Sequence, residues 1–310
     1  MIKAKAFAKL NLNLHLFPEK DEYGFYPVKF VNCELNLHDE LYFEKQKNKI
    51  DLICDNKKLS NKNNLVYKTA LLLKKVVKDK SLGVKITLKK NIPIKAGLGG
   101  GSSDAAVTLR NLIKLWKIKL NKAQVQNINK QIGSDVAFCY KGGVCSVTNQ
   151  GSKNVCVYSI NNNCLFSQEQ CFAIHSCDQA CKLSRVPRLW VVLIVPEKQK
   201  KSTEWMYKNV NQTVIGNNLG KYAKLIEGMK EKNKDKIFAN LHNDFEDIVR
   251  QNNKEMLELE KQLDDMDADK VFIAGSGLTV VGLYKSKKKS LTVFRQLKIK
   301  YKNVIWTYTR

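Results

Sequence analysis

Acidic residues are scarce in this 310-residue chain. Its 29 Asp and Glu face 54 Lys and Arg, for a formal net charge of +25. Such a field draws anions of every kind, from nucleic acid and anionic lipid to phosphorylated small molecules. The lysines are spread over the whole chain, and no RNA-binding or zinc-finger pattern accompanies them, so no specific nucleic-acid partner is expected. Long apolar runs are missing too. No stretch approaches the ~20 apolar residues of a membrane helix, so no membrane partner is expected. The first residues enter an alternating pattern without an apolar signal core or a Ser/Arg-rich leader. Cytoplasmic placement is the expectation, or a plastid-type organelle if a leader was removed. The nine cysteines lack paired C-x-x-C spacing. Cys171, His175, Cys177 and Cys181 lie near one another outside that spacing, and free thiols are expected.

What is present reads as a mixture of strands and helices without a regular βαβ repeat, hence α+β. The length suits two domains. Residues 2–16 alternate, with Ile2, Ala4, Ala6, Ala8, Leu10, Leu12, Leu14 and Leu16 on one face and Lys9, Asn11, Asn13 and His15 on the polar face. Further strands are expected at 28–37, 41–45, 50–54, 84–88, 142–148, 189–195, 271–274, 279–284 and 304–309. Helices are expected at 64–79, from Ser102 to Trp116, from Asn121 to Gly133, and at 202–209, 218–232, 235–250, 253–266 and 287–300. Residues 152–186 have no clear period and read as a cysteine-rich linker or insertion.

One segment carries chemistry on its face: Pro93-Ile94-Lys95-Ala96-Gly97-Leu98-Gly99-Gly100-Gly101-Ser102-Ser103-Asp104. Four of the five residues 97–101 lack a Cβ, which lets backbone approach a ligand closely. A helix then opens at Ser102 and Ser103, and its free N–H groups and positive dipole end suit a phosphate chain. No lysine follows the glycines, so this is not a Walker motif. Asp135, at the head of an apolar stretch, reads equally as a turn or cap residue and as a base. Lys9 reads from pattern alone as a solvent-facing lysine.

Three segments together resemble the superfamily of galactokinase, homoserine kinase, mevalonate kinase and phosphomevalonate kinase. They are the glycine loop, Ala274-Gly275-Ser276-Gly277, and Ala8-Lys9-Leu10-Asn11-Leu12. Within it the chain is most similar to the 4-diphosphocytidyl-2-C-methyl-D-erythritol kinases. That resemblance rests on residues 97–106, on Gly133-Ser134-Asp135-Val136, on Asn64-Leu65-Val66 with Lys68, and on His242-Asn243-Asp244 with Glu246. It covers roughly 1–150 and 188–310, by segments.

The resemblance implies ATP-dependent phosphorylation of the 2-hydroxyl of cytidine diphosphate-linked methylerythritol in the non-mevalonate isoprenoid pathway. Asp135 would be the base and Lys9 would neutralise charge at the hydroxyl and γ-phosphate. Pro93, Ala96 and residues 97–103 would hold ATP, with Mg2+ bound through ATP, and Asn64, Leu65 and Lys68 would lie in the nucleotide region. Asn11, Phe25, Tyr26, Thr203, Tyr207 and Lys208 would contact substrate, and Gly275, Ser276 and Gly277 would line the cleft. The implied fold is a ribosomal-protein S5 domain 2-like N-terminal domain (1–151) and a ferredoxin-like C-terminal domain (187–310), with the active site in the cleft between them. A monomer or weak homodimer is expected. The chain departs from the family at Gly24-Phe25-Tyr26, where a histidine usually stands in place of Tyr26, and at Asn149–Lys153. A sister kinase for homoserine or mevalonate-like alcohols, or a basic binding protein on the same fold, are the alternatives.

Overall fold

The computed structural model describes residues 1–20, 26–150, 154–159, 186–198 and 202–310. Strand β1 (Ile2–Leu16) follows from the alternation, with Ala6, Ala8, Leu10, Leu12 and Leu16 wholly buried. Its polar face is not a solvent face. Lys9, Asn11, Asn13 and His15 are buried as well, which overturns the reading of Lys9 as an ordinary surface lysine.

Strand β2 (Val28–Lys47) is one continuous element where two were expected. The polar run His38-Asp39-Glu40 looks like a break, but Asp39 is fully buried. Its carboxylate accepts the backbone N–H groups of Asn91 and Ile92 at 2.6 and 2.8 Å. These bonds remove the cost of holding a polar residue mid-strand. β3 (Ile50–Cys54), α1 (Leu65–Val77) and β4 (Leu82–Lys89) form a parallel pair with a helical crossover. Asn64 caps α1 by accepting from Val66 N at 2.9 Å.

α2 (Gly100–Leu115) begins two residues before the expected start, and α3 (Lys122–Ile132) opens with a capping box between Asn121 and Gln124. α4 (Val136–Lys141) was not expected as a helix. β5 (Val144–Gln150) pairs with β2 through Val28–Cys33, whereas β4 pairs with it through Glu40–Lys47. β6 (Asn154–Ser159) pairs with β5, so the stretch read as having no period contains a strand. Residues 160–185, with Cys171, His175, Cys177 and Cys181, lie outside the described residues, as does Phe25. Cys33, Cys54, Cys139 and Cys145 are buried.

A second, antiparallel sheet has the order β11-β7-β10-β9, from β7 (Trp190–Ile194), β9 (Lys270–Ile273), β10 (Val280–Tyr284) and β11 (Val304–Tyr308). Helices α5 (Thr203–Asn209) and α6 (Gly220–Lys230) fall where expected. The single helix expected over 235–250 is instead α7 (Lys234–Ala239), the short strand β8 (His242–Asn243) and α8 (Glu246–Asn252). The polar run from Asn240 to Asp244 explains the break. β8 joins β1 in parallel register, Asn13 opposite His242, and Asp244 accepts the N–H of Leu16 at 2.6 Å. A continuous helix would forfeit both. α9 (Glu255–Asp264) packs on β9 and β10, and α10 (Lys287–Lys300) packs on β7, β10 and β11.

The chain divides into two units, each discontinuous in sequence. Unit one comprises Met1–Lys9, Leu37–Ile94 and Gly99–Gly142, and unit two comprises Leu10–Asn36, Lys95–Leu98 and Gly143–Arg310. The core of unit one is built from Phe43, Leu73, Ile86, Leu88, Leu109 and Leu112, on strands and helices α1 and α2. Each such side chain contributes about 1.5–3 kcal/mol of burial.

Candidate active site

In unit one, α2 starts on glycine because the backbone demands it. Its cap residue Gly99 has φ +67°, and a Cβ there would lie 2.6 Å from Lys9 Cγ. A Cβ on Gly100 would stand 3.0 Å from Ile92 Cγ2. Gly99 offers no side chain to cap the helix. Ser103 N donates to Gly99 O at 2.9 Å, and the N–H groups of Gly100, Gly101 and Ser102 find no acceptor among the described residues. Three aligned donors at the positive end of a helix fit phosphate oxygens. Leu65 sits beside them, its Cδ1 3.6 Å from a Cβ built on Gly101. Asn64 is committed to capping α1, and Lys68 is exposed. Ser103 is buried under the turn, and Pro93 is half-buried ahead of it.

The lysine whose stem covers Gly99 meets an acid. Lys9 Nζ stands 3.8 Å from Asp135 Oδ2, with the Asp135 side chain one-third exposed. Asp135 occupies the cap position of α4 but makes no side-chain cap bond, so its carboxylate is not spent on the helix. α4 is fixed to α2 by Arg110, which donates from Nη1 to Tyr140 O at 2.9 Å. The pair therefore rests on two packed helices and one strand.

A second lysine lies under the same loop and has no counterpart in the sequence reading. Lys90 Nζ is bonded to Asp39 and, at 2.7 Å, to Asp104 of α2, and it would lie 3.3 Å from a Cβ on Gly100. Burial pushes the Asp104 carboxyl up, to about 8, against the pull of Lys90 and with the help of Asp39. Protonated, it leaves one positive and one negative charge in the cluster. The glycine turn thus avoids standing on a net buried anion. Asp104 belongs to the motif and could have drawn notice. Asp39 and Lys90 could not, since nothing in sequence distinguishes them from other Asp and Lys residues.

In unit two, the C-terminal glycine segment is a clasp on the entry to the loop. A Cβ on Gly277 would lie 2.6 Å from Ala96 O and 2.8 Å from Gly97 Cα, and one on Gly97, at φ +81°, would lie 2.6 Å from Ala274 O. Thr279 Oγ1 donates to the same Ala96 carbonyl at 2.6 Å. The turn is held in its own right. Asn243 Nδ2 donates to Ile273 O at 2.8 Å and Gly275 O at 2.7 Å, and Ile273 N donates to Glu246 Oε1 at 3.0 Å. The segment from His242 to Glu246 is therefore a set of ties, a role its sequence did not reveal.

The residues expected on the substrate side of unit two are more scattered. Asn11 Nδ2 donates to Asn32 Oδ1 at 2.6 Å in a buried pair. Tyr26 is buried with Lys20 Nζ 4.9 Å from its ring centre. Tyr207 packs edge-on against Phe245, with centroids 5.1 Å apart. Lys208 is exposed and paired to Glu204 within α5 at 2.9 Å, and Thr203 opens that helix. Leu98 is buried, and Gly275 takes φ +55° at the turn with Ser276 following.

Residues 64–143 match the GHMP kinases N terminal domain. A 4-diphosphocytidyl-2-C-methyl-D-erythritol kinase of Listeria monocytogenes serotype 4a is 32% identical over 299 residues, 96% of this chain and 92% of that protein. A crystal structure of a 4-(cytidine 5'-diphospho)-2C-methyl-D-erythritol kinase superposes with a TM-score of 0.76 at 20% identity, covering 99% of each chain. A homoserine kinase from Cytophaga hutchinsonii superposes with a TM-score of 0.70 at 16% identity, covering 100% of this chain and 94% of the other, a likeness of fold alone.

Proposed function

The chain belongs to the 4-diphosphocytidyl-2-C-methyl-D-erythritol kinase family, and from that premise we propose which of its residues carry the reaction. It is an ATP-dependent kinase of isoprenoid precursor synthesis, acting on an alcohol. Family membership does not favour the sister kinases or a non-catalytic binding role. We assign the acceptor as the 2-hydroxyl of the cytidine diphosphate-linked methylerythritol.

The observation that carries the assignment is the Lys9–Asp135 pair beside Gly99. Their 3.8 Å separation is too long for a hydrogen bond and suits one shared oxygen. A substrate hydroxyl at roughly 2.8 Å from each would donate its proton to Asp135 Oδ2 and accept from Lys9 Nζ. As the oxygen attacks the γ-phosphorus, the bond to the β,γ-bridging oxygen breaks and ADP leaves, while Asp135 takes the proton and Lys9 offsets the negative charge gathering on the transferring group. Phosphoryl transfer asks for positioning and charge neutralisation more than covalent help. The unpartnered N–H groups of Gly100, Gly101 and Ser102 would hold ATP phosphate oxygens.

Mg2+ would be held mainly by those phosphates, where it neutralises charge. The cradle fits such an arrangement, because its donors are N–H groups, which bind oxyanions and not cations. Phe25 and Tyr26 are assigned to the cytosine, for which Phe25 needs only a π face.

The experiment is ADP release with 4-diphosphocytidyl-2-C-methyl-D-erythritol beside homoserine, mevalonate and no acceptor. Turnover with the cytidine-linked alcohol alone is expected. Turnover only with another alcohol would discard the acceptor and keep the phosphoryl chemistry. Silence with all of them, in a folded protein, would remove both.

A further inference from the structure

We infer that His15, His242 and Asp244 form a site for a divalent transition-metal ion, zinc by preference, which staples β8 to β1. Their candidate ligand atoms all lie within 4.8 Å of one another. His15 is 1% exposed, and neither of its ring nitrogens has a hydrogen-bond partner among the described residues. Burying two unpartnered ring nitrogens is costly, and buried side chains of this kind normally find a partner. The His242 ring lies beside it, centroids 4.9 Å apart.

The third donor is already aimed. Asp244 Oδ2 is fixed by the N–H of Leu16 at 2.6 Å, while Oδ1 lies 2.5 Å from His242 Nε2. Two imidazole nitrogens and one carboxylate oxygen make a three-ligand tetrahedral set with its fourth position open to water. Imidazole donors select zinc-like ions over Mg2+ and Ca2+, which prefer oxygen alone. Bonds of about 2.0–2.2 Å would open the His242–Asp244 separation from 2.5 Å to roughly 3.3 Å. His242 would then carry its proton on Nδ1 and present the Nε2 lone pair. The ion would pin a strand of two residues whose register with β1 is Asn13 to His242 and Leu14 to Asn243.

The test uses the full chain, stripped with chelator and titrated with Co2+, then with Zn2+. One equivalent of Co2+ should give the intense ligand-field band of a tetrahedral ion without a thiolate charge-transfer band, which sets it apart from binding by cysteines. Zn2+ should displace it and raise Tm by roughly 5 °C at a hundredfold excess over Kd. His15→Phe and His242→Gln should each weaken binding by more than about 100-fold, beyond the usual effect of an outer-sphere residue. Metal-free His15→Phe should be no less stable than the wild type, because it removes the two unpartnered nitrogens. Folded wild-type protein that gives no tetrahedral band overturns the proposal, and so does a band that survives in both variants.

Discussion

Two buried lysines flank the glycine loop, and they are used in opposite ways. Lys90 is locked by Asp39 and Asp104 in a buried site. Lys9 meets Asp135 across 3.8 Å, and that acid is one-third exposed. A cation closed by short bonds is a structural part, because any new anion must compete with the two acids already bonded to it. A cation that faces its acid across a gap has room for a third oxygen. The contrast shows that burial of a charge does not by itself mark chemistry, since both lysines are buried and only one faces a part-exposed acid.

The largest test of the contrast is Lys90→Met. It leaves Asp39 and Asp104 facing each other without a cation, and the expected loss is about 3–5 kcal/mol, read from the denaturant midpoint. A loss below about 1 kcal/mol would mean that the cluster is not the anchor described. Asp135→Asn should do the reverse, lowering kcat by ~100-fold or more with ATP affinity little changed. Its midpoint should stay within about 0.5 kcal/mol of the wild type. A near-normal rate would move the base elsewhere. Lys9→Met keeps the stem over Gly99 and removes only the charge, so kcat should fall roughly 100-fold in a stable protein. Equal losses of stability in Lys9→Met and Lys90→Met would erase the distinction.

A further test concerns pH. The folded Asp104 carboxyl titrates near 8, above its ordinary value of 3.8. Over that window the folded chain keeps a proton that the unfolded chain has released, so this group makes stability fall as pH rises from about 4 to about 8. Asp104→Asn should flatten that slope, checked by denaturant midpoints at the two ends of the window. An unchanged slope would assign the titration to another group.

Much of this was legible in the sequence. The alternation of residues 2–16, the Asn121 cap and the 287–300 helix each announce themselves through local pattern. Motif and resemblance singled out the glycine loop, Lys9 and Asp135, and the last two stand 3.8 Å apart. What stayed hidden depends on partners distant in the chain. Asp39 looks like a strand break until Asn91 and Ile92 supply its donors. The run around His242 looks helical until β1 offers it an edge. Lys9 looks solvent-facing because alternation reports which face a side chain takes, and not what covers that face.

The tie between the ends of β1 and β8 also sets a schedule for the newborn chain. Leu16 and Asp244 are joined by a hydrogen bond that spans 228 residues. At ordinary translation speeds the first strand waits roughly 10–45 seconds for its neighbour to leave the ribosome. Throughout that interval its edge is bare where β8 will lie, a ready template for another nascent chain. A ribosome that stalls before His242 would release a product with that edge still open, a substrate for chaperones and proteases.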